Sequence, residues 1–179
     1  MSTKKKILLA LWAVMTALVL VAGFKPAEYT ISRKIEIKAS AEQIFPFLNH
    51  SQKANSWMPW TESDPQLQMS YDGPEEGVGS KASWKSSGKM GVGSSEVIES
   101  VPLKLVRSKL TYLEPMNMEQ EATTTIENAH GLTIVTWSVT GKNSFLGRLA
   151  SIFINMDQIV GSEFEKGLVK LKSIVEPKN

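Results

Sequence analysis

The polarity pattern of the chain changes character twice. Residues 7–24, ILLALWAVMTALVLVAGF, are 18 consecutive positions without a charge, and as a helix rising ~1.5 Å per residue they cover ~27 Å. From Glu28 the hydrophobic period is two. After Gly141 it lengthens to the ~3.6 of an amphipathic helix. An apolar helix, a β-rich middle and a closing helix are therefore predicted in that order.

Within the middle, Tyr29, Ile31, Ile35 and Ile37 alternate with polar neighbours and predict a strand over about 28–38. Ser40-Ala41-Glu42-Gln43 has the form of a capping box, so a short helix begins at Ser40 and buries Ile44, Phe45, Phe47 and Leu48. Pro46 removes one hydrogen bond and predicts a kink or an early end. A second helical segment is predicted over Ser51 to Trp57, stopped by Pro59. Six strands near 67–72, 78–86, 91–100, 103–114, 117–128 and 131–140 follow, punctuated by Asp72-Gly73-Pro74, Ser87-Gly88, Val101-Pro102, Glu114-Pro115 and Asn128-Ala129-His130-Gly131. Such short turns join antiparallel neighbours into a meander. One face carries Val78, Ala82, Trp84, Val106, Leu110, Tyr112, Met118, Ala122, Ile126, Val135, Trp137 and Val139; the other carries Lys81, Lys85, Lys109, Glu119, Glu121 and Glu127. The first face is expected to meet a core and the second water. Leu149, Phe153, Met156, Val160, Phe164, Leu168, Leu171 and Val175 then mark one long helix from about Ser144 to Val175, ended by Pro177. Gly161 and Gly167 weaken that helix and leave room for the sheet or for a ligand.

Composition narrows the function. Hydrophobic residues are 42% and charged residues 21%, as in a globular domain. Cysteine is absent, which removes disulfides, thiolate nucleophiles and Cys-ligated metals. The net charge of +2 comes from Lys4, Lys5 and Lys6, since residues 7–179 hold 17 basic and 18 acidic groups. Nucleic acid, which needs a clustered basic surface, is not an expected partner. The organisation expected is a membrane anchor or signal segment over 1–24 and one folded domain over 25–179. The three lysines favour a cytoplasmic amino terminus, with the domain on the far side of the membrane. Lys25, Arg33, Lys34 and Lys38 compete with them, and cleavage near Val21-Ala22-Gly23 would instead release an exported protein.

The segments ISRKIEIKASAEQIFPFLNH, WMPW, SYDGPEEGVGSKASW, IESVPLKLV, TIVTWSVTGKNSFLGRL and NMDQIVGSEFEKGLVKLK, taken in order, resemble the SRPBCC, or START-like, superfamily in its polyketide cyclase/dehydrase-like branch. The resemblance covers about Glu28 to Glu176. It implies an α+β helix-grip fold, in which a curved antiparallel sheet of about seven strands wraps the long C-terminal helix and two short helices follow the first strand. It also implies a hydrophobic cavity between sheet and helix, which different members use for lipids, sterols, polyketides or plant hormones. Some members are cyclases and others are protein-interaction modules, so fold alone does not select a function.

Ligand-contacting candidates are Trp57, Trp60, Trp84, Glu96, Tyr112, Met118, Gln120 and Trp137, each with a packing role as the alternative. Trp57 and Trp60 bracket Met58-Pro59, where their rings would plug the rim of the core or form one wall of the cavity entrance. Ser80, Ser108, Gln120 and Thr124 would supply placed polar groups on an apolar wall, with Tyr112 and Trp84 at its larger end. Glu96 shares a strand face with Ile98, and if that face points inward its carboxyl is a buried functional group. Glu114, Glu119 and Glu121 are expected in water. His50 and His130 do not form a metal pair, and Gly88 to Gly93 lies inside a hairpin rather than between strand and helix. No metal or cofactor is expected. The function these readings favour is membrane-associated binding of a lipid-like or polycyclic small molecule without catalysis. The alternatives are a cyclase-type enzyme using Glu96, Tyr112 or His50 as acid or base, and a module that holds a protein partner.

Overall fold

The period-two segments assemble into a single antiparallel sheet in the computed structural model, which describes residues 2–88, 90–129 and 131–177. The apolar helix α1 (Thr3–Phe24) leads into β1 (Glu28–Ile37), which is followed by α2 (Ala41–Asn49), α3 (Ser51–Asn55) and α4 (Trp60–Ser63). The meander is β2 (Gln68–Asp72), β3 (Lys81–Lys85), β4 (Val92–Val101), β5 (Leu105–Glu114), β6 (Met118–Ala129) and β7 (Leu132–Lys142). Two helices close the chain, α5 (Phe145–Ala150) and α6 (Met156–Val175). Spatial order in the sheet is β1-β7-β6-β5-β4-β3-β2, so β1 closes one edge beside β7. Glu28 pairs with Lys142, and Ile37 with Thr133. The end of the sheet at Glu28 and Lys142 is where α1 joins, and is called here the near end.

The core lies between the sheet and α6. Ile31, Ile37, Val106, Ile126, Val135, Trp137 and Val139 meet Ile44, Leu48 and Trp57 and the α6 residues Phe164, Leu168, Leu171 and Val175. Most of the predicted inner face is confirmed, whereas Val78 is exposed. Gly77 and Gly79 both have positive φ, a turn geometry suited to glycine, and β3 therefore starts only at Lys81.

Helix α2 does not end early at Pro46, and two other local expectations are corrected. The chain continues helically through Pro46 as far as Asn49, with Gln43 Oε1 accepting the Ser40 N–H at 3.0 Å. Pro59 does not merely stop a helix; its φ of −69° leads directly into α4. The C-terminal stripe is two helices rather than one. Ser151 ends α5, where its hydroxyl donates to Arg148 O at 2.7 Å. Asn155 starts α6 by accepting the Gln158 N–H at 3.1 Å. Phe153 and Met156 consequently stay exposed, and the stripe joins the core from Val160 onwards.

The glycines of α6 have assigned neighbours. Arg33 faces inward on β1, where an apolar residue would continue the alternation, and lies beneath Gly161. A Cβ at Gly161 would fall on its guanidinium. Gly167 lets Pro59 and Trp137 approach to 3.1 Å of the position a Cβ would take.

Candidate functional site

Even-numbered positions of β5 and β6 lie on the core side of the sheet, and their burial is graded along the strands. Val106, Thr124 and Ile126, towards the β4–β5 turn, are buried. Leu110, Tyr112, Met118 and Gln120, towards the near end, are half-buried. The inner face is thus sealed at one end and less covered at the other, and the less covered end carries the predicted polar and aromatic groups.

Two adjacent rows cross the sheet there. In the first, Tyr29 pairs with Gly141, Gly141 with Gln120, and Gln120 with Leu110. A Cβ on Gly141 would come within 2.7 Å of the Tyr29 hydroxyl. Glycine is needed so that Tyr29 can reach across β7 and accept the hydrogen bond that Gln120 Nε2 donates. The second row runs from Met118 to Tyr112, Gly93 and Trp84. Gly93 again leaves out a Cβ, which would collide with the Trp84 indole and sit 2.7 Å from Thr111 O. Trp84 meets Tyr112 edge-on, with centroids 5.5 Å apart at 68°, and its Nε1–H donates to Met90 O at 3.2 Å. Burial, reinforced by nearby Tyr29, pushes the Tyr112 phenol up to about 12. It is held protonated and remains a hydrogen-bond donor throughout the neutral range.

A second aromatic group lies deeper. Trp57 is 1% exposed, and its Nε1–H donates to Phe47 O at 2.9 Å. Trp137 touches Trp57 edge-on at 4.9 Å, lies 5.7 Å from Trp60 and stacks on Phe164 at 3.9 Å with 13° between planes. Trp57 and Trp137 are core residues, whereas Trp60 remains partly exposed beside them.

Glu96 does not face the interior. Val97 takes the inward position, Glu96 and Ile98 point out, and Lys81 Nζ lies 3.9 Å from the Glu96 carboxylate. Glu96 does share its face with Ile98, but that face is the outer one: Ile98 is exposed and Val97 is buried. Ser80 is buried against Ser51 Oγ at 2.6 Å and donates to Glu75 O, so it fastens α3 to the β2–β3 connection. Ser108 and Thr124 lie on the inner face. His50 caps α3, its Nδ1 accepting the Gln52 N–H at 3.2 Å. His130 and Lys89 lie outside the described residues. Glu114, Glu119 and Glu121 are exposed, with Lys109 2.7 Å from Glu119. Among the described residues no group of three or more His, Asp or Glu is arranged to hold a metal.

Three polar residues of structural weight were not singled out from the sequence. Tyr29 was read only as an apolar strand position. Arg33 accepts no such description: its Nε and Nη2 meet Glu165 and Asp157 at 2.8 and 3.0 Å, and Nη1 donates to Ser32 O at 2.8 Å. Asp157 is held below the usual carboxylate range by the guanidinium. Asp64 is a buried carboxylate that accepts from Ser86 Oγ at 2.7 Å and from the Gln66 and Met90 amides, tying the β3–β4 hairpin to the start of β2. Only the break in β1 alternation at Arg33 signalled any of these in advance.

The same architecture recurs in solved proteins. A protein of Chromobacterium violaceum, CV1439, superposes with a TM-score of 0.61 at 16% identity, over 83% of this chain and 98% of its own. The Aha1 dimer from Colwellia psychrerythraea gives 0.59 at 21%, over 83% and 96%. Major latex-like protein 151 of Panax ginseng gives 0.59 at 12%, over 85% and 100%. The chain shares the helix-grip fold of these proteins. No family model and no curated protein sequence matches it. Identities this low establish the architecture alone.

Proposed function

We propose that the chain is a membrane-anchored domain that binds a hydrophobic small molecule, lipid-like or polycyclic, against the near-end half of its inner face. The observation that carries this reading is the graded cover of β5 and β6: Leu110, Tyr112, Met118 and Gln120 are half-buried beside a fully sealed core. An apolar wall with a few fixed polar groups is what such a ligand requires. Tyr112 and the Tyr29–Gln120 pair supply those groups, and Trp60 lies deeper, beside Trp137. Hydrophobic-ligand binding is also a general use of this fold.

The anchor is α1, whose length and mean hydropathy of 2.6 suit a membrane span. Its junction supports retention over cleavage. Ala22 is fully buried, and Arg148 Nη1 donates to Gly23 O and Lys25 O at 3.3 and 3.2 Å. Cleavage after Gly23 would remove contacts that the folded domain makes.

Catalysis of the cyclase type is less favoured by the disposition of the three groups it would use. Glu96 points outward, His50 is engaged as a cap, and Tyr112 is a poor base while protonated.

The full chain should be reconstituted into nanodiscs of a single synthetic dioleoyl lipid, so that any other bound species identifies itself by mass. Native mass spectrometry and solvent extraction are expected to return a host-derived apolar molecule, and a fluorescent fatty-acid or sterol probe should bind saturably. Met118→Arg, which puts a charge on the proposed wall, is expected to weaken that binding at least tenfold. Empty spectra together with no saturable probe binding would refute the proposal.

A further inference from the structure

The near end of the domain gathers exposed apolar side chains from four separate segments. Phe24 ends α1 at 89% exposure, Leu146 on α5 is 73% exposed, Phe153 in the α5–α6 connection is 72% exposed, and Met116 in the β5–β6 turn is 70% exposed. Leu113 and Ile154 are exposed beside two of them. The strand register places the β5–β6 turn at this end, because Tyr112 pairs with Met118 and Gln120 with Gly141, one position inside the Glu28–Lys142 pair. Isolated exposed hydrophobics are ordinary, but a set collected at one end of the molecule marks an interaction surface.

The anchor fixes what that surface meets. Helix α1 packs against α5, and Ala22 is the one residue of α1 that the domain buries. Ala22 lies two residues from the helix end at Phe24, a distance of ~3 Å along the axis. Lys25 Nζ donates to Ser151 O at 2.8 Å and to Ser151 Oγ at 3.1 Å, while Arg148 holds Gly23 O and Lys25 O. These bonds join anchor and domain within a few residues, without a free linker. If residues 7–24 fill the hydrocarbon, α5 lies at the boundary between acyl chains and headgroups. There Lys25 and Arg148 suit the headgroup level, and Phe24, Leu146 and Phe153 suit the layer beneath it.

We infer that the near end, formed by α5, the 151–155 connection and the β5–β6 turn, is a second membrane contact, partly inserted into the same bilayer that α1 spans. This rests on the anchor reading above. It adds that the domain sits directly on the lipid, with the less covered end of its inner face towards the membrane.

The absence of cysteine makes the test direct, since each introduced thiol is unique. Leu146→Cys, Phe153→Cys, Val14→Cys within α1, and Lys104→Cys at the opposite end of the sheet are each labelled with an environment-sensitive fluorophore in the full chain. The proteins are reconstituted in phosphatidylcholine vesicles with and without nitroxide-bearing lipids. Blue-shifted emission and several-fold quenching are expected at positions 146 and 153, as at 14, with no quenching at 104. Quenching at 14 with water-like emission at 146 and 153 would overturn the inference and leave the anchor standing. Loss of quenching at 14 as well would remove both. Blue-shifted emission at 146 and 153 without lipid quenching would assign the surface to a protein partner or a second copy, and would equally overturn the inference.

Discussion

Trp57 and Trp60 are three residues apart on either side of Pro59, yet their surroundings assign them different work. Trp57 is 1% exposed, gives its indole N–H to Phe47 O at 2.9 Å and meets Trp137 edge-on at 4.9 Å. Truncating a buried tryptophan to alanine costs ~3–5 kcal/mol in transfer and cavity terms. Removing the donor to Phe47 O adds ~1 kcal/mol. The total of ~4–6 kcal/mol is a large share of the ~5–15 kcal/mol that stabilises a typical domain. Trp60 is only partly buried, and its truncation should cost ~1–2 kcal/mol. In urea unfolding of the full chain in nanodiscs, an m-value of ~2 kcal/mol/M converts the difference into midpoints at least ~1 M apart. Trp57→Phe, which keeps a ring but loses the N–H, should fall between them. Saturable probe binding should show the reverse order of sensitivity, with Trp60→Ala weakening affinity while the fold persists. Equal midpoints for Trp57→Ala and Trp60→Ala would refute the division into buried core plug and partly exposed neighbour.

Tyr112 and Arg33 yield two further tests. The Tyr112 phenol is shifted from 10.0 to about 12 by burial, so the folded state keeps its proton after the unfolded chain has lost it. The resulting stabilisation is complete below pH ~10 and is lost as pH rises to ~12, by at most ~2–3 kcal/mol. Alkaline unfolding of Tyr112→Phe should lack that component; an unchanged profile between pH 10 and 12 would contradict it. Gly161→Ala should place a methyl group on the Arg33 guanidinium and displace it from Asp157 and Glu165, despite the better helix propensity of alanine. Asp157 is shifted downward, so the Arg33 contact contributes above the ordinary carboxylate range and is lost as pH falls through the depressed value. The variant should melt earlier at neutral pH and lose part of this acid dependence, whereas a higher melting temperature would show that Arg33 moves aside freely.

The sheet was legible because its information is local. Alternation along each strand and the Gly and Pro turns located all seven strands and most of the inner face, and the capping box located α2. What was not legible depends on partners far apart in the chain. Arg33 breaks the β1 pattern because Asp157 and Glu165 lie 124 and 132 residues away on α6. Gln120 donates to Tyr29 across 91 residues only because Gly141 lies between them. The face of Glu96 follows from that of Ile98, and local alternation does not say whether an isoleucine flanked by Val97 is the inner or the outer residue; here Val97 is buried and Ile98 exposed. For the candidate site, residue types were visible, but the sorting of Trp57 and Trp137 into the core and Tyr112 into the less covered region required the packing itself.

The broken C-terminal stripe shows why periodicity alone did not separate these roles. Leu149, Phe153 and Met156 continue the spacing of Phe164, Leu168 and Leu171, yet the first group precedes or flanks a break while the second fills the core. A residue facing a protein core and one facing lipid obey the same preference for apolar surroundings, so a moment calculated along the sequence cannot tell them apart. What tells them apart is their surroundings: Ser151 and Arg148 bond to the end of α1, and Phe153 and Met156, which follow them, are exposed. On the proposal of a near-end membrane contact, the continuous pattern is therefore one preference met by two partners. Val169, which is exposed on the part of α6 remote from the near end, provides the contrast. Polar replacement there should be neutral, whereas Phe153→Asp should leave stability intact and abolish the lipid quenching of a label at position 146. Retained quenching in Phe153→Asp would mean that the exposed half of the stripe owes its apolar character to something other than the bilayer.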